Sequence, residues 1–396
     1  MSASSPSCDQ DRPLRLMMCA GEVSGDLYAA ALLRELRRLA APRQIEVFGI
    51  GGDSLAAEGA SLRAHVSQTG VIGLWEVAKR FRFFSRLLSR LEGDLDKMRP
   101  DALVTVDYPG MNLRLARKAK AKGIPAIHWV CPQVWAWRRG RIPKVAASLD
   151  MLMAFFPFEP PLFAGTGLDV RFSGHPLVDQ IEEFRRSEKP DLPWGKGTKI
   201  ALFAGSRPAE VRRLLPVVLA GAALAQRDLG ECSFILPAPD EARAADLRAG
   251  IASARLKPER AAVVTGRSRQ VLSEARAAIV KSGTATLEAA LLRCPHAIVY
   301  RVSEPTYRIM KRLLTGVRHI GLPNIVAGRT VCRELIQHDA TPENIAADLV
   351  ALCSDGERRA AALAALSGIR ETLGGEGATR RAAQMIAGAL QARGKM

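Results

Sequence analysis

The pattern of the chain predicts an α/β protein of two Rossmann-like domains, each built on a parallel sheet and facing a central cleft. Short apolar runs alternate with longer helical patterns through both halves of the 396 residues, the rhythm of parallel strands joined by crossover helices. A chain of this length exceeds one ordinary core and suits domains of roughly 150 to 200 residues each. Each half also opens on a strand that feeds a glycine turn and a helix, MMCAGEVSGD in the first and ALFAGSRPAEVRRLL in the second.

In the first half, residues 14–20, 45–50, 102–106, 126–130 and 151–155 read as strands, with helical stretches at 26–39, 74–91 and 113–122. In the second half, 199–203, 233–237, 261–264, 277–280 and 296–300 repeat the strand signal. Between the halves, a stretch containing SEKPDLPWGKG is rich in proline and charge, follows neither period and reads as a linker. Beyond Thr341 the pattern is almost wholly helical. The expected division is an N-terminal domain over 1–181, a linker over 182–198, a second domain over 199–360 and C-terminal helices over 361–396. No repeat recurs at solenoid spacing.

An apolar share of 48% suits a globular protein, whereas 57 Lys and Arg against 40 Asp and Glu leave a net charge of +17. Such an excess favours an anionic partner: nucleic acid, a phosphorylated small molecule or an acidic membrane surface. Seven cysteines without a CxxC pair argue against a disulfide framework and a zinc ribbon, so reduced cytosolic thiols are expected. The apolar run 14–20 is too short for a signal-peptide core, and no stretch approaches eighteen apolar residues. A soluble or membrane-surface protein follows.

The two glycine turns differ in the sign of their charge. The first carries Glu22 and Asp26 and no cation, and its Gly21-x-x-x-Gly25 spacing is not the dinucleotide fingerprint. It reads either as a helix start capped by Ser24 or Asp26 or as a substrate contact. The second carries Arg207, whose fork can grip two phosphate oxygens, with Pro208 and Glu210 at the first and third helical positions. A nucleotide diphosphate is therefore expected on Gly205, Ser206 and Arg207. A further helix start, KSGTATLEAALLRCP, offers Ser282, Gly283 and Thr284, and Glu288 lies one helical turn on from Thr284. Its carboxylate could accept both hydroxyls of a ribose diol.

Together AGEVSGDLYAAAL, GIGG, HWVCPQVWAWRRGRIPK, FPFE, FSGHPLVD, AGSRPAEVRRLLP, SGTATLEAAL, VYR and GLPNIVAGRTVCRELIQ resemble the lipid-A-disaccharide synthase family, in that family's order, over residues 19–337. The resemblance implies a GT-B glycosyltransferase with the acceptor in the first domain and the donor nucleotide in the second. It implies inverting transfer from UDP-2,3-diacylglucosamine to 2,3-diacylglucosamine 1-phosphate, giving a β-1,6-linked disaccharide 1-phosphate and UDP. VTVDYPGMN matches the segment that makes Asp107 the expected general base, although Gly110 stands where many relatives carry a second Asp. Arg207, Ser282, Thr284, Glu288, Asn324, Glu334 and Gln337 match donor-side positions. Glu22, Ser24, Gly25, Asp26 and His175 fall on the acceptor side. A cytoplasmic enzyme on the inner face of the inner membrane is implied, and a homodimer is compatible with it.

Residues 74–95 place Trp75, Phe81, Phe84, Leu88 and Leu91 on one helical stripe, widened by Phe83 and Leu87, with five cations on the remainder. That is the pattern of a helix lying on a membrane surface, and Trp75, Phe81, Phe83, Phe84 and Leu87 are its expected membrane and acyl contacts. The alternative is an ordinary core-packing helix. Between Tyr108 and Leu149 nine Lys or Arg occur without an Asp or Glu, but no nucleic-acid module accompanies them and nucleic acid is not an expected partner. A different UDP-sugar GT-B enzyme is the nearest alternative, disfavoured by VWAWR and GLPN. Transfer without metal or cofactor is expected.

Overall fold

The computed structural model describes residues 12–69, 81–136, 139–313 and 318–396. These form two compact units, one made of the described residues up to Pro176 together with Gly374–Met396, the other of those from Leu177 to Leu373. The first unit is built on strands β1 (Leu14–Ala20), β2 (Ile45–Gly51), β3 (Ser61–His65), β4 (Ala102–Val106), β5 (Ala126–Trp129), β6 (Met151–Ala154) and β7 (Asp169–Phe172). All pair in parallel, in the order β3-β2-β1-β4-β5-β6-β7. The second sheet uses β8 (Thr198–Phe203), β9 (Cys232–Ala238), β10 (Ala261–Thr265), β11 (Ala277–Lys281), β12 (His296–Tyr300) and β13 (Glu334–Ile336), again parallel, in the order β10-β9-β8-β11-β12-β13.

Central strands read as unbroken apolar runs because helices cover both faces of a parallel sheet; every residue of β4 and of β9 is buried. In the first unit Met17, Leu103 and Leu152 pack with Leu91 and Leu95 of the helix Phe81–Met98 and Leu115 of the helix Pro109–Ala121. In the second, Ile200, Leu202, Phe234 and Ile279 pack against Leu214, Val218 and Ala222 of the helix Pro208–Leu229.

Two expected boundaries shift. Residues 182–198 are no free linker: Leu192 joins the core of the second unit, Trp194 Nε1 donates to Glu274 (2.9 Å), and Gln270 Nε2 donates to the Pro190 carbonyl (2.5 Å). The C-terminal helices also part company. Glu357–Ser367 and Ile369–Thr372 stay with the second unit, while Ala378–Gln391 packs on the helix Val23–Ala40 of the first. Arg381 fixes that return by donating to the carbonyls of Ser173 (2.9 Å) and Gly374 (2.8 Å). Among the described residues no helix is long and apolar enough to cross a membrane.

Candidate active site

In an open parallel sheet, ligands bind beyond the carboxyl ends of the strands where the strand order reverses. That point is β1/β4 in the first unit and β8/β11 in the second. Gly21 and Asp107 follow β1 and β4, and Gly205 and Ser282 lie just past β8 and β11, so the sequence motifs collect at the two switch points.

At the first, Asp107 and Tyr108 both take the left-handed backbone, with φ of 52° and 49°. Non-glycine residues hold such a turn only where surroundings enforce it. Here the Asp107 N–H donates to the Trp129 carbonyl (2.9 Å), and Asn112 Nδ2 donates to the carbonyls of Asp107 (2.7 Å) and Cys19 (3.2 Å). The Tyr108 hydroxyl donates to the Thr69 carbonyl (3.1 Å) while its ring covers Gly21, where a Cβ would lie 2.2 Å from Cγ. Only glycine fits beneath that ring. Burial raises the Asp107 pKa above the usual carboxylate range, opposed in part by the Tyr108 N–H. The elbow thus offers a half-buried carboxylate of enhanced basicity. Gly110 is exposed, with open space around its missing Cβ.

Other residues expected on the acceptor side behave differently from one another. Glu22 and Ser24 are exposed and Gly25 is buried. Asp26 is 3% exposed, and its carboxylate accepts from the N–H groups of Gly52 (2.6 Å), Ser54 (3.0 Å) and Leu55 (3.1 Å). It anchors the β2 turn and the start of the helix Asp53–Ala57, which corrects the expectation of a direct sugar contact. His175 is buried with its ring 4.7 Å from Phe155 and 5.5 Å from Phe156, and burial lowers its pKa to about 3. It is a neutral histidine packed against these rings.

The amphipathic helix is corrected in part. Leu87 is 6% exposed and belongs to the core with Leu91 and Leu95, so it is no membrane contact. Phe84 packs partly against that core; Phe83 is 37% exposed and meets Phe84 edge to face. Trp75 lies outside the described residues, as does the side chain of Phe81. The basic run beyond Tyr108 is largely a solvated face: Lys118 pairs with Glu92 (2.8 Å) and Lys122 with Asp96 (2.5 Å).

FPFE contributes a residue that the sequence did not single out. Glu159, almost wholly buried, accepts from the N–H groups of Phe155 (3.1 Å) and Phe156 (3.0 Å) and from Trp135 Nε1 (3.1 Å). Burial outweighs these bonds and lifts its pKa from 4.5 to about 7. A raised folded-state pKa stabilises the protein fully below the unfolded pKa and loses that contribution as pH rises through the folded value. Thermal stability is expected to fall between pH 5 and pH 7, by on the order of 3 kcal/mol, and Glu159→Gln, which mimics the neutral form, is expected to flatten that decline in melting curves.

The second switch point forms a cavity of about 520 Å³ lined by Gly205, Ser206, Arg207, Lys281, Gly283, Thr284 and Glu288, among others. Gly205 has φ of +117°, and a Cβ there would sit 2.6 Å from that of Glu210. Glu210, the third residue of the helix Pro208–Leu229, accepts from the Ser206 N–H (3.1 Å) and pairs with Lys281 Nζ (2.8 Å). Burial pushes its pKa up, but Lys281, the Ser206 N–H and Arg207 outweigh burial and hold it below the usual range. Two cations against one fixed carboxylate, at a helix N-terminus, leave the turn electropositive. Lys281 was legible as the first letter of KSGT, but its pairing with Glu210 is a product of the fold. Glu288 Oε1 accepts from Arg269 Nε (2.9 Å), which is itself bound through its other arm to Gln180 (2.5 Å).

Four expected donor-side residues do not line this cavity. Asn324 is fully buried: Nδ2 donates to the Cys332 carbonyl (2.7 Å) and Glu334 Oε1 (2.7 Å), and Oδ1 accepts from the N–H groups of Val331 (2.7 Å) and Cys332 (2.8 Å). Glu334 also accepts from the N–H groups of Ile320 (3.0 Å) and Gly321 (2.9 Å). Gln337 pairs both ways with the Val302 backbone (3.2 and 3.1 Å), and Ser282 Oγ donates to the Ile320 carbonyl (3.0 Å). GLPN and ELIQ therefore encode a braced segment, because buried polar atoms must find partners and these find each other.

A family model described as lipid-A-disaccharide synthetase matches residues 16–388. A lipid-A-disaccharide synthase of Syntrophus aciditrophicus is 40% identical over 373 residues, covering 93% of this chain and 96% of the relative. In three dimensions the chain resembles the UDP-GlcNAc 2-epimerase of Neisseria meningitidis bound to UDP-GlcNAc, with a TM-score of 0.62, 11% identity, and 95% and 99% of the two chains covered. It equally resembles the glycotransferase of kitacinnamycin, with a TM-score of 0.60, 18% identity and the same coverage. Likenesses at such identities fix the two-domain fold alone. The sequence match carries the reaction.

Proposed function

Because the chain belongs to the lipid-A-disaccharide synthetase family, we propose that Asp107 is the general base of its transfer reaction and that the Gly205 to Arg207 turn holds the donor diphosphate. The chain is a GT-B hexosyltransferase of lipid A biosynthesis that joins UDP-2,3-diacylglucosamine to 2,3-diacylglucosamine 1-phosphate. The acceptor 6-hydroxyl loses its proton to Asp107 as its oxygen bonds to the donor's anomeric carbon. The bond from that carbon to UDP breaks on the opposite side, inverting its configuration. UDP leaves with the electron pair, its charge met by Arg207, Lys281 and the helix N-terminus, while Glu288 accepts from the ribose hydroxyls. No step calls for a metal or a cofactor.

The observation that carries this reading is the raised Asp107 pKa on an elbow held by Asn112, Tyr108 and Trp129. On the donor side, UDP is expected to raise the melting temperature more than ADP, GDP or NAD, and Arg207→Ala to weaken UDP binding about tenfold or more at unchanged stability. Equal stabilisation by ADP, or no response to UDP, overturns the donor assignment.

Phe83, with Arg82, Arg86 and Arg90 exposed on the same helix, supports peripheral contact with the cytoplasmic face of the inner membrane. Phe83→Ser is expected to reduce co-sedimentation with anionic vesicles without lowering the melting temperature.

A further inference from the structure

Glu288 is the carboxylate that lines the donor cavity, and behind it stands Arg269, in the first turn of the helix Ser268–Glu274. Arg269 Nε donates to Glu288 Oε1 (2.9 Å), while Nη2 donates to Gln180 Oε1 (2.5 Å) on the helix Pro176–Arg186. The partly buried guanidinium is therefore tied at both ends, to a carboxylate at one and to a neutral amide at the other. A neutral second partner fixes the fork without drawing its charge away from Glu288. Arg269 itself does not line the cavity, although its neighbour Ser268 does. Asp26 spends its carboxylate on three backbone N–H groups, but Glu288 is not used up in this way. An ionised carboxylate offers about four lone-pair sites; Arg269 takes one, and among the described residues Oε2 has no hydrogen-bond partner.

We infer that Arg269 is a positioning residue of the donor site, holding Glu288 so that its carboxylate accepts both hydroxyls of a ribose and tells ribose from deoxyribose. The inference rests on the reading that Glu288 accepts from the ribose of the donor. A diol offers two donors at a fixed spacing, and a glutamate left free among its rotamers must be ordered at the moment of binding, which costs affinity. Arg269 and Gln180 order it beforehand. A hydroxyl missing from the sugar then leaves a fixed carboxylate oxygen without its donor, and a site built to bind a hydroxyl rejects the analogue that lacks it.

The test measures binding of UDP and of 2′-deoxy-UDP to the full chain by calorimetry, in wild type, Arg269→Met, Gln180→Leu and Glu288→Gln. Wild type is expected to prefer UDP about tenfold or more, the value of a hydrogen bond to a charged group. Arg269→Met is expected to bring that preference to within about twofold, and in turnover to raise the donor KM about tenfold with kcat within about threefold, the mark of lost uniform binding. Gln180→Leu frees the outer arm, leaves the Arg269–Glu288 pair in place and is expected to reduce the preference about threefold. A merely structural Arg269 would lower the melting temperature and leave the ratio of the two affinities intact. An unchanged ratio in Arg269→Met overturns the inference; where that variant does not fold, an unchanged ratio in Gln180→Leu does so. The underlying reading fails separately: a wild type that does not discriminate, or a Glu288→Gln variant that keeps the full preference, removes Glu288 from the ribose. Loss of the preference in Glu288→Gln with its retention in Arg269→Met removes Arg269 alone.

Discussion

Asp107→Asn is expected to lower kcat by about a hundredfold to ten-thousandfold, the range lost when a positioned general base is removed, while UDP binding and melting temperature stay near wild type. Asparagine keeps the size of the side chain and leaves the backbone bonds from Asp107 N–H to Trp129 and from Asn112 to the Asp107 carbonyl in place. What it removes is the basic oxygen. Burial raises the Asp107 pKa, and the base works only when ionised. Wild-type kcat/KM is therefore expected to fall with acid through an apparent pKa above the ordinary aspartate range, and the residual activity of the Asn variant to lack that limb. Turnover by Asp107→Asn within tenfold of wild type would remove the residue from the chemistry.

Asp26→Ala carries the largest expected loss of stability. Three backbone N–H groups share one carboxylate, two of the bonds being fully buried. Removing an ionised acceptor leaves its donors desolvated and unpaired, which costs about 3 kcal/mol or more. For a unit of this size that corresponds to a fall in melting temperature of about 6 to 12 °C. Asp26→Asn keeps one acceptor oxygen and is expected to fall between the two. A calorimetric scan decides the matter; an Ala variant that melts like wild type would return Asp26 to the group of free sugar contacts.

Much of the architecture was legible because the central strands are long apolar runs followed by helices with clear apolar faces. The strands that escaped were β3, β7 and β13. Each has five residues or fewer, lies at a sheet edge and keeps partly exposed positions, so none writes an uninterrupted apolar run. The contrast in charge between the two glycine turns was readable, since the second holds the cation and opens a long helix. The fates of Asp26, Asn324, Glu334 and Gln337 were not readable. A carboxylate or amide in a motif looks the same whether it faces a ligand or a backbone N–H, and only the path of the chain brings Gly52 to Asp26 or Ile320 to Glu334. Leu87 failed for a related reason: an amphipathic stripe reports an apolar face without saying whether protein or lipid covers it.

The most direct measurement incubates the purified protein with UDP-2,3-diacylglucosamine and 2,3-diacylglucosamine 1-phosphate and identifies the products. The account predicts a β-1,6-linked disaccharide 1-phosphate formed in step with UDP, and no UDP when the acceptor is left out. UDP released without acceptor, or a UDP-sugar returned as its epimer with no disaccharide, would contradict it.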